Sequence, residues 1–262
     1  MIILHVSMIL HDSAPAIGYT PGRKSEDIMM IGSILSKAGR QAADLIFPPR
    51  CAICGRAGSF VCGDCRESLP KAEPPRCPVC WQGGSPEVCW RCEQSSPAFE
   101  RLRSPYVFEG GVRDLVHGLK YRQQSALAEP MAELLFDFIR REPLPTDVLV
   151  PVPLFGRRER TRGYNQSALL ARLLARRLGL GVEERSLVRA RNTASQAQSG
   201  SAEERRVNVR DAFRCKDSRL AGKRVLLIDD VSTTGATLDA CAKALLEGGA
   251  ASVRALTFAR ED

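Results

Sequence analysis

The composition of this 262-residue chain is that of a folded globular protein, because 44% of its residues are hydrophobic and 26% are charged. No apolar stretch reaches the roughly 18 residues that a membrane span needs. The apolar start, Met1 to Leu10, has no basic residue before it and no small-residue cleavage site after it, so we expect neither an anchor nor a signal peptide there. At about 150 residues per domain, the length allows one full domain and a smaller one.

The formal net charge is +8, and residues 101–214 account for the whole surplus, with 21 Lys and Arg against 13 Asp and Glu. Such a basic window suits an anionic partner, either a polyphosphate or a nucleic acid. It equally suits ordinary solvated helix faces, because several of the arginines alternate with glutamates. The charge alone leaves both interpretations open.

The first 47 residues divide into two predicted segments. Residues 1–30 mix Pro, Gly and polar residues without periodicity, which predicts either disorder or a true start at Met29 or Met30. Residues 31–47 carry apolar side chains at helical spacing and end before Pro48 and Pro49. This pattern predicts an amphipathic lead-in helix.

Eight cysteines in residues 48–95 form four C-x-x-C pairs, namely Cys51/Cys54, Cys62/Cys65, Cys77/Cys80 and Cys89/Cys92. Four thiolates close a tetrahedral zinc site, so the eight cysteines predict two structural Zn²⁺ ions. A disulfide framework is the competing interpretation, but nothing in the sequence indicates secretion. The short gap between Cys54 and Cys62 favours pairing in sequence order, although an interleaved pairing also fits the spacing. The segment is too small to bury a core and needs its metals to fold.

Two further residue types in and beyond this segment allow more than one role. Trp81 and Trp90 either pack the ribbons together, which we favour, or offer stacking surfaces to unpaired bases. Cys215 and Cys241 have no partner at C-x-x-C spacing, and we expect them to be packing residues.

From Phe99 onward, residues 96–262 alternate between strand and helix patterns. The predicted elements are a strand over 101–108, helices over 113–121 and 127–141, a buried strand over 147–152, a helix over 164–178, a polar loop over 190–202, and a final strand near 252–258. Such alternation predicts a parallel α/β sheet with its ligand at the carboxyl ends of the strands.

The segment from Val225 to Thr237 is the most informative part of the chain. Its four apolar residues, Val225 to Ile228, predict a strand buried on both faces, and two carboxylates, Asp229 and Asp230, follow directly. A loop of small residues then leads into a predicted helix over 238–247. Backbone N–H groups at a helix N-terminus can bind a phosphate, and paired carboxylates can accept hydrogen bonds from sugar hydroxyls or hold Mg²⁺. The pattern therefore predicts a site for a phosphorylated ribose.

This segment resembles the phosphoribosyl-pyrophosphate (PRPP) signature of type I phosphoribosyltransferases, four hydrophobic residues followed by D-D-x-x-T-T-G-x-T. Residues 44–260 as a whole resemble the ComF family of competence-associated proteins. The shared segments are F-P-P-R-C, the four C-x-x-C pairs, His117-Gly-Leu-Lys-Tyr121, V-P-V-P, R-G-Y-N-Q, a loop with Gln196 and R-R-x-N-V, and the PRPP signature. The resemblance implies a type I phosphoribosyltransferase-like parallel sheet flanked by helices and preceded by a small Cys-rich double zinc ribbon.

The resemblance also implies roles for individual residues. Asp229 and Asp230 hold the ribose hydroxyls, directly or through Mg²⁺, and Lys120 adds charge near the pyrophosphate. The remaining PRPP-binding residues are Ser232, Thr233, Thr234, Gly235, Ala236 and Thr237, and the pyrophosphate loop is Pro153, Leu154, Phe155, Gly156, Arg157 and Arg158. Further candidates are Arg162, Asn165, Gln166, Gln196 and Arg205. Two bland alternatives stay open: the arginines from 157 to 162 form a solvated turn, and Asn165 or Ser167 only caps a helix.

Two functions from different classes follow from these implications. The favoured one is a cytoplasmic, PRPP-binding phosphoribosyltransferase-like protein, related to amidophosphoribosyltransferases, which uses Mg²⁺ and two structural Zn²⁺ and whose acceptor is unknown. The alternative is a non-catalytic module of DNA uptake that binds single-stranded DNA and other competence or recombination proteins, with PRPP as a regulator or a vestigial ligand.

Overall fold

The computed structural model describes residues 48–122, 124–154, 160–190 and 212–262. Within it, residues Pro49–Asp262 form one compact unit. The predicted lead-in helix over 31–47, Gln196 in the predicted polar loop and Arg205 after it lie outside the described residues. Among the helices that are described, none is both long and apolar enough to cross a membrane.

The centre of the described chain is a six-stranded parallel sheet. Its strands are β1 (Leu102–Arg103), β2 (Tyr106–Val107), β3 (Val148–Pro151), β4 (Gly181–Val182), β7 (Arg224–Ser232) and β8 (Ser252–Arg260). They lie in the order β1-β8-β7-β3-β4, and β2 also pairs with β8. Strands β5 (Leu187–Arg189) and β6 (Phe213–Cys215) form a separate antiparallel pair.

Helices cover both faces of this sheet, as the apolar pattern of its central strand requires. Helices α3 (Gly110–Tyr121), α4 (Ala128–Arg141) and α5 (Gln166–Leu178) pack with Leu226 and Ile228 of β7 in one core cluster. Helix α6 (Ala236–Glu247) packs with Val225 and Leu227 in a second cluster. Successive residues of a strand point to opposite faces, so all four apolar side chains are buried, and each such burial contributes about 1.5–3 kcal/mol. A short 3-10 turn, Ser125–Leu127, connects α3 to α4.

The structure confirms the predicted α/β class and the three helices α3 to α5, and it corrects several boundaries. The strand predicted over 101–108 is divided into β1 and β2, both of which pair with β8. Strand β7 does not stop at Ile228 but continues through both aspartates to Ser232, because Asp229, Val231 and Ser232 still pair with β8. Helix α6 begins at Ala236, two residues before the predicted start. The β5–β6 pair was not predicted, since its strands are short and far apart in sequence.

Candidate functional site

The eight paired cysteines form two groups of four, and they group in sequence order. The sulfur atoms of Cys51, Cys54, Cys62 and Cys65 all lie within 4.8 Å of one another, as do those of Cys77, Cys80, Cys89 and Cys92. Burial tends to raise the pKa of Cys51 and Cys77, but backbone N–H groups directed at the sulfur atoms lower these values to about 6 and about 7. Burial and the charge of Cys80 raise the pKa of Cys92. Four converging cysteine sulfurs match the donor set of a structural zinc ion.

The two groups belong to two copies of the same small fold, which we call ribbon 1 (residues 50–68) and ribbon 2 (residues 76–95). Each has a backbone bridge across its first C-x-x-C turn, Arg50 to Ala57 in ribbon 1 and Arg76 to Gly83 in ribbon 2. Each continues into a short helix just after its third cysteine, α1 (Gly63–Glu67) and α2 (Trp90–Gln94). The chain therefore holds two separate ribbons, each built around its own four cysteines.

The two tryptophans of ribbon 2 have different environments. Trp81 is buried, donates from Nε1 to the Ser104 carbonyl at 2.8 Å, and has the Arg103 guanidinium 4.3 Å from its ring centre. Trp90 is 63% exposed. The favoured packing role is thus confirmed for Trp81 and is wrong for Trp90.

Four polar side chains meet at the carboxyl end of β7, namely Lys120, Ser167, Asp229 and Asp230. Lys120 at the end of α3 pairs its Nζ with Asp230 Oδ1 at 2.8 Å. Asp230 is only 2% exposed, and its Oδ2 has no hydrogen-bond partner within the described residues. Asp229 accepts a hydrogen bond from Ser167 Oγ at 2.7 Å. Sequence patterns had suggested only a cap for Ser167, since nothing local indicates a contact with a residue so far along the chain.

Electrostatics within this group follow from its burial. Burial and the neighbouring charge of Asp230 raise the pKa of Asp229 to about 7, although Lys120 and Ser167 oppose the shift. Burial lowers the pKa of Lys120, but the attraction of Asp230 outweighs it and the pKa is raised overall. The site therefore holds a cation against two carboxylates, one of which keeps an unsatisfied oxygen.

The loop after β7 leads directly into α6. Gly235 has a φ of 79° and precedes the first residue of the helix. A Cβ at this position would lie 3.6 Å from the Phe99 ring, so the backbone of the loop approaches that ring closely. Thr234 Oγ1 accepts from the Ala236 N–H at 3.4 Å. The loop thus presents small residues at a helix N-terminus, where anions are favoured.

The segments after β3 fall partly within the described residues. Pro153 and Leu154 come one residue after the end of the strand at Pro151, whereas Phe155, Gly156, Arg157 and Arg158 lie outside the described part. Asn165 caps α5, because its side chain accepts from the N–H groups of residues 167 and 168. Buried Gln166 accepts from Arg162 at 2.9 Å. These contacts place Ser167 beside Asp229, so the capping alternative holds for Asn165.

A cavity lies between ribbon 2 and the loop after β7. Its lining comes from ribbon 2 and the linker after it (Cys80, Arg91, Cys92, Ser95, Pro97, Phe99) and from the loop, α6 and β8 (Thr234, Gly235, Ala236, Asp239, Arg260). Arg260 is 1% exposed and was not among the predicted residues. The only sequence signal was a basic residue at the end of an apolar strand.

Comparison with known proteins identifies two domain families in the chain. The phosphoribosyl transferase domain matches residues 165–262, and the double zinc ribbon domain matches residues 42–93. The chain is 40% identical over 152 residues to the DNA utilization protein YhgH of Salmonella typhi. The alignment covers 56% of this chain and 66% of that protein. It is 33% identical over 154 residues to competence protein F of Haemophilus influenzae, with the same coverage. It is 41% identical over 114 residues to competence protein ComFC of Bacillus subtilis, covering 43% of this chain and 44% of that protein.

Among solved structures, the chain is similar to glutamine PRPP amidotransferase from B. subtilis complexed with ADP and GMP, at 22% identity and a TM-score of 0.35. That alignment covers 49% of this chain and 26% of the other. It is also similar to adenine phosphoribosyltransferase from Thermoanaerobacter pseudethanolicus, at 21% identity and a TM-score of 0.33, covering 52% and 69%. The fold assignment rests on the family match and on the parallel sheet itself.

Proposed function

We propose that this chain is a member of the ComF family, which its match to a double zinc ribbon and a phosphoribosyltransferase domain and its similarity to ComFC support, and that it binds PRPP and transfers its phosphoribosyl group to an acceptor. The chain spans just under two thirds of the length of the first relatives it matches, 66%. We place the protein in the cytoplasm, where phosphorylated sugars occur.

One observation carries this proposal. Asp230 is almost fully buried at the carboxyl end of β7, yet its Oδ2 has no partner within the described residues. An unsatisfied buried carboxylate oxygen costs free energy, and a ligand hydroxyl or a metal ion would remove that cost. The position corresponds to the place where the PRPP signature puts its sugar-binding acids. A ribose diol is the ligand that this pair of carboxylates suits best.

The neighbouring residues suit the other parts of PRPP. The loop from Ser232 to Thr237 would hold the 5′-phosphate at the N-terminus of α6, and Pro153 and Leu154 begin the proposed pyrophosphate loop. Carboxylate oxygens are the ligands that Mg²⁺ prefers, so Asp229 and Asp230 fit a Mg²⁺ that accompanies the diphosphate. When bound there, the ion would neutralise charge on the departing pyrophosphate.

No described side chain is an obvious general base for the acceptor. Phosphoribosyl transfer breaks the bond between C1 of ribose and pyrophosphate and forms a bond from C1 to the acceptor. Its rate depends largely on alignment of the reactants and on stabilisation of the leaving anion. We propose that Lys120 first neutralises Asp230 and, once the sugar hydroxyls take over that contact, provides positive charge near the departing pyrophosphate.

Calorimetric titration of PRPP with Mg²⁺ tests the sugar site. Replacing both Asp229→Asn and Asp230→Asn should weaken binding by about 100-fold or more, since hydrogen bonds to charged groups contribute about 1.5–3 kcal/mol each and both are affected. Asp147→Asn is the matched control, because Asp147 lies at the opposite end of β3 and β7, paired with Arg224. Equal affinities for wild type and the double variant would refute the assignment. A screen for pyrophosphate release with nucleobases and amines would then identify the acceptor.

A DNA-handling role remains a second candidate, and exposed Trp90 favours it. Its ring lies beside the Arg91 guanidinium, 5.6 Å from the ring centre, which is the combination that unpaired bases stack against. The names of the relatives, which refer to competence and DNA utilization, support the same role. We expect Trp90→Ala to weaken single-stranded DNA binding, and affinity that does not fall with salt would argue against this role.

A further inference from the structure

Arg260 connects ribbon 2 to the carboxyl end of β7, where the loop before α6 begins. Its Nη2 donates to Gln82 Oε1 in ribbon 2 at 2.7 Å, and its Nη1 lies 3.3 Å from Ser232 Oγ at the end of β7. The side chain is buried and lines the cavity beside Thr234, Gly235 and Ala236. Two of the four cysteines of ribbon 2, Cys80 and Cys92, line the same cavity. One guanidinium thus contacts both the ribbon and the strand that precedes the loop.

The linker that follows ribbon 2 also contacts the loop and the helix after it. Asp239, in the first turn of α6, accepts from the Ala98 N–H at 2.7 Å. The Phe99 ring lies where a Cβ on Gly235 would approach to 3.6 Å. Ribbon 2 and its linker therefore contact the loop after β7 at its start and at Gly235, and they contact the first turn of α6.

Ribbon 1 makes no comparable contact in the described part of the chain. Its Ile53 packs on Gly111 in the first turn of α3, at the opposite end of that helix from Lys120. Its Arg66 pairs with Glu133 and Asp137 of α4. These contacts attach ribbon 1 to the helical layer rather than to the loop.

We propose that ribbon 2 positions the loop after β7 through Arg260, so that zinc in ribbon 2 and PRPP at this loop each strengthen the binding of the other. The inference rests on the proposed PRPP site. Metal binding folds a segment of this size, which has few apolar residues of its own. A folded ribbon holds Gln82 in place, and Gln82 in turn holds Arg260 against Ser232. By thermodynamic linkage, if zinc binding raises the affinity for PRPP, PRPP binding raises the affinity of ribbon 2 for zinc by the same factor.

Charge supports the same coupling. Arg260 forms no ion pair with a carboxylate among the described residues, although it is buried. A Zn²⁺ ion with four thiolates carries a net charge of about −2, and such a group beside the cavity would compensate a buried guanidinium. Losing the metal would leave Asp262, which already pairs with Arg76, as the nearby negative charge, and this weaker compensation favours movement of the guanidinium away from Ser232.

Gln82→Ala tests the connection without touching a cysteine, and its matched control comes from ribbon 1. Arg56 follows Cys54 and Gly55 as Gln82 follows Cys80 and Trp81, and its guanidinium forms an ion pair with exposed Asp64. We expect Gln82→Ala to raise the Kd for PRPP with Mg²⁺ about 3- to 30-fold, with two zincs per chain retained and a Tm only moderately lowered by the lost hydrogen bond. Arg56→Ala should leave that Kd unchanged. Gln82→Glu, which keeps an acceptor for Arg260, should bind PRPP nearly as wild type does.

Zinc release gives a readout that does not depend on activity. We expect saturating PRPP with Mg²⁺ to slow the transfer of one of the two zincs to a chromogenic chelator and to leave the other unaffected. The protection should be lost in Gln82→Ala. Replacing Cys51 and Cys54 with Ser should remove the unprotected zinc, which assigns the protected one to ribbon 2.

The outcomes separate this inference from the proposed function. If wild type binds PRPP, the Asp229→Asn/Asp230→Asn variant does not, and Gln82→Ala binds as wild type does, the coupling is wrong and the sugar site stands. Protection of both zincs, or of neither, also contradicts the coupling. If wild type does not bind PRPP, the proposed function and the coupling both fail.

Discussion

The two zinc ribbons share a backbone design but differ in what surrounds it. Arg50 of ribbon 1 and Arg76 of ribbon 2 occupy equivalent positions, and each donates to the carbonyl of the equivalent residue that follows the first C-x-x-C pair, Gly55 or Trp81. Arg50 is exposed, whereas Arg76 is buried and binds both carboxylate oxygens of Asp262, at 2.8 and 2.7 Å. The same local fold thus exposes its arginine to solvent in ribbon 1 and buries it against the rest of the chain in ribbon 2.

The backbone shows the same division at the turn after the first C-x-x-C pair. Gly55 has a φ of 76°, and Trp81, at the equivalent position, has a φ of 63°. A bulky residue rarely adopts this conformation, which costs about 1–2 kcal/mol for residues with a Cβ. Ribbon 2 tolerates it because the Trp81 side chain is buried against Ser104 and Arg103. The cysteines make each copy a metal site, and the residues between them decide what the copy contacts.

The largest expected effect separates the two equivalent arginines. Arg76→Gln should lower the free energy of unfolding by about 2–3 kcal/mol, because the arginine is buried and loses its two contacts with the Asp262 side chain, which is 34% exposed. Arg50→Gln should change it by less than about 0.5 kcal/mol, as expected for an exposed site. Urea unfolding of the zinc-loaded chain measures both. Equal effects would show that the two ribbons are not embedded differently.

A smaller effect on the free energy of unfolding measures the cost of a positive φ in ribbon 1. Gly55→Ala should destabilise the chain by about 1 kcal/mol, since the new Cβ meets nothing within 4 Å and only the positive φ opposes it. Gly63→Ala is the control, because Gly63 lies in α1, is equally uncrowded and has no positive φ. That variant should be neutral or slightly stabilising. A cost at position 63 as large as at position 55 would contradict the strain argument.

The smallest effect concerns the attachment of ribbon 1 to α4. Arg66 lies 2.9 Å from Glu133 and 2.6 Å from Asp137, and all three side chains are about one third to one half exposed. Arg66→Ala should therefore cost about 0.5–1 kcal/mol at low salt. The difference from wild type should shrink near 1 M salt, where charges are screened within about 3 Å. A cost that is independent of salt would point to lost packing rather than to lost ion pairs.

Local sequence patterns predicted much of this fold. Apolar runs and helical periodicity identified β3, β7, β8 and the four long helices, because burial selects apolar residues at the period of each element. Cysteine spacing predicted both metal sites and favoured their pairing in sequence order. The division of the strand over 101–108 and the β5–β6 pair were missed, since short strands depend on partners that are distant in sequence.

The candidate site shows the same limit. The aspartates and the loop after β7 were recognisable because a phosphate cradle needs small residues at a helix start, and a local pattern records that need. Lys120, on α3, was a candidate, but its pairing with Asp230 could not be read from α3 or β7 alone. Ser167 and Arg260 gave almost no signal, since a serine near a helix start and an arginine at a strand end have many ordinary roles.

The amino-acid sequence by itself determined two four-cysteine ribbons, a parallel α/β sheet and a loop suited to a phosphorylated sugar, because each depends on residues close together in the chain. Only the tertiary structure decided which ribbon lies against that loop, which serine and lysine contact its aspartates, and that Arg260 contacts both ribbon 2 and β7. These contacts join residues far apart in sequence, and the packing of sheet, helices and ribbons sets their distances.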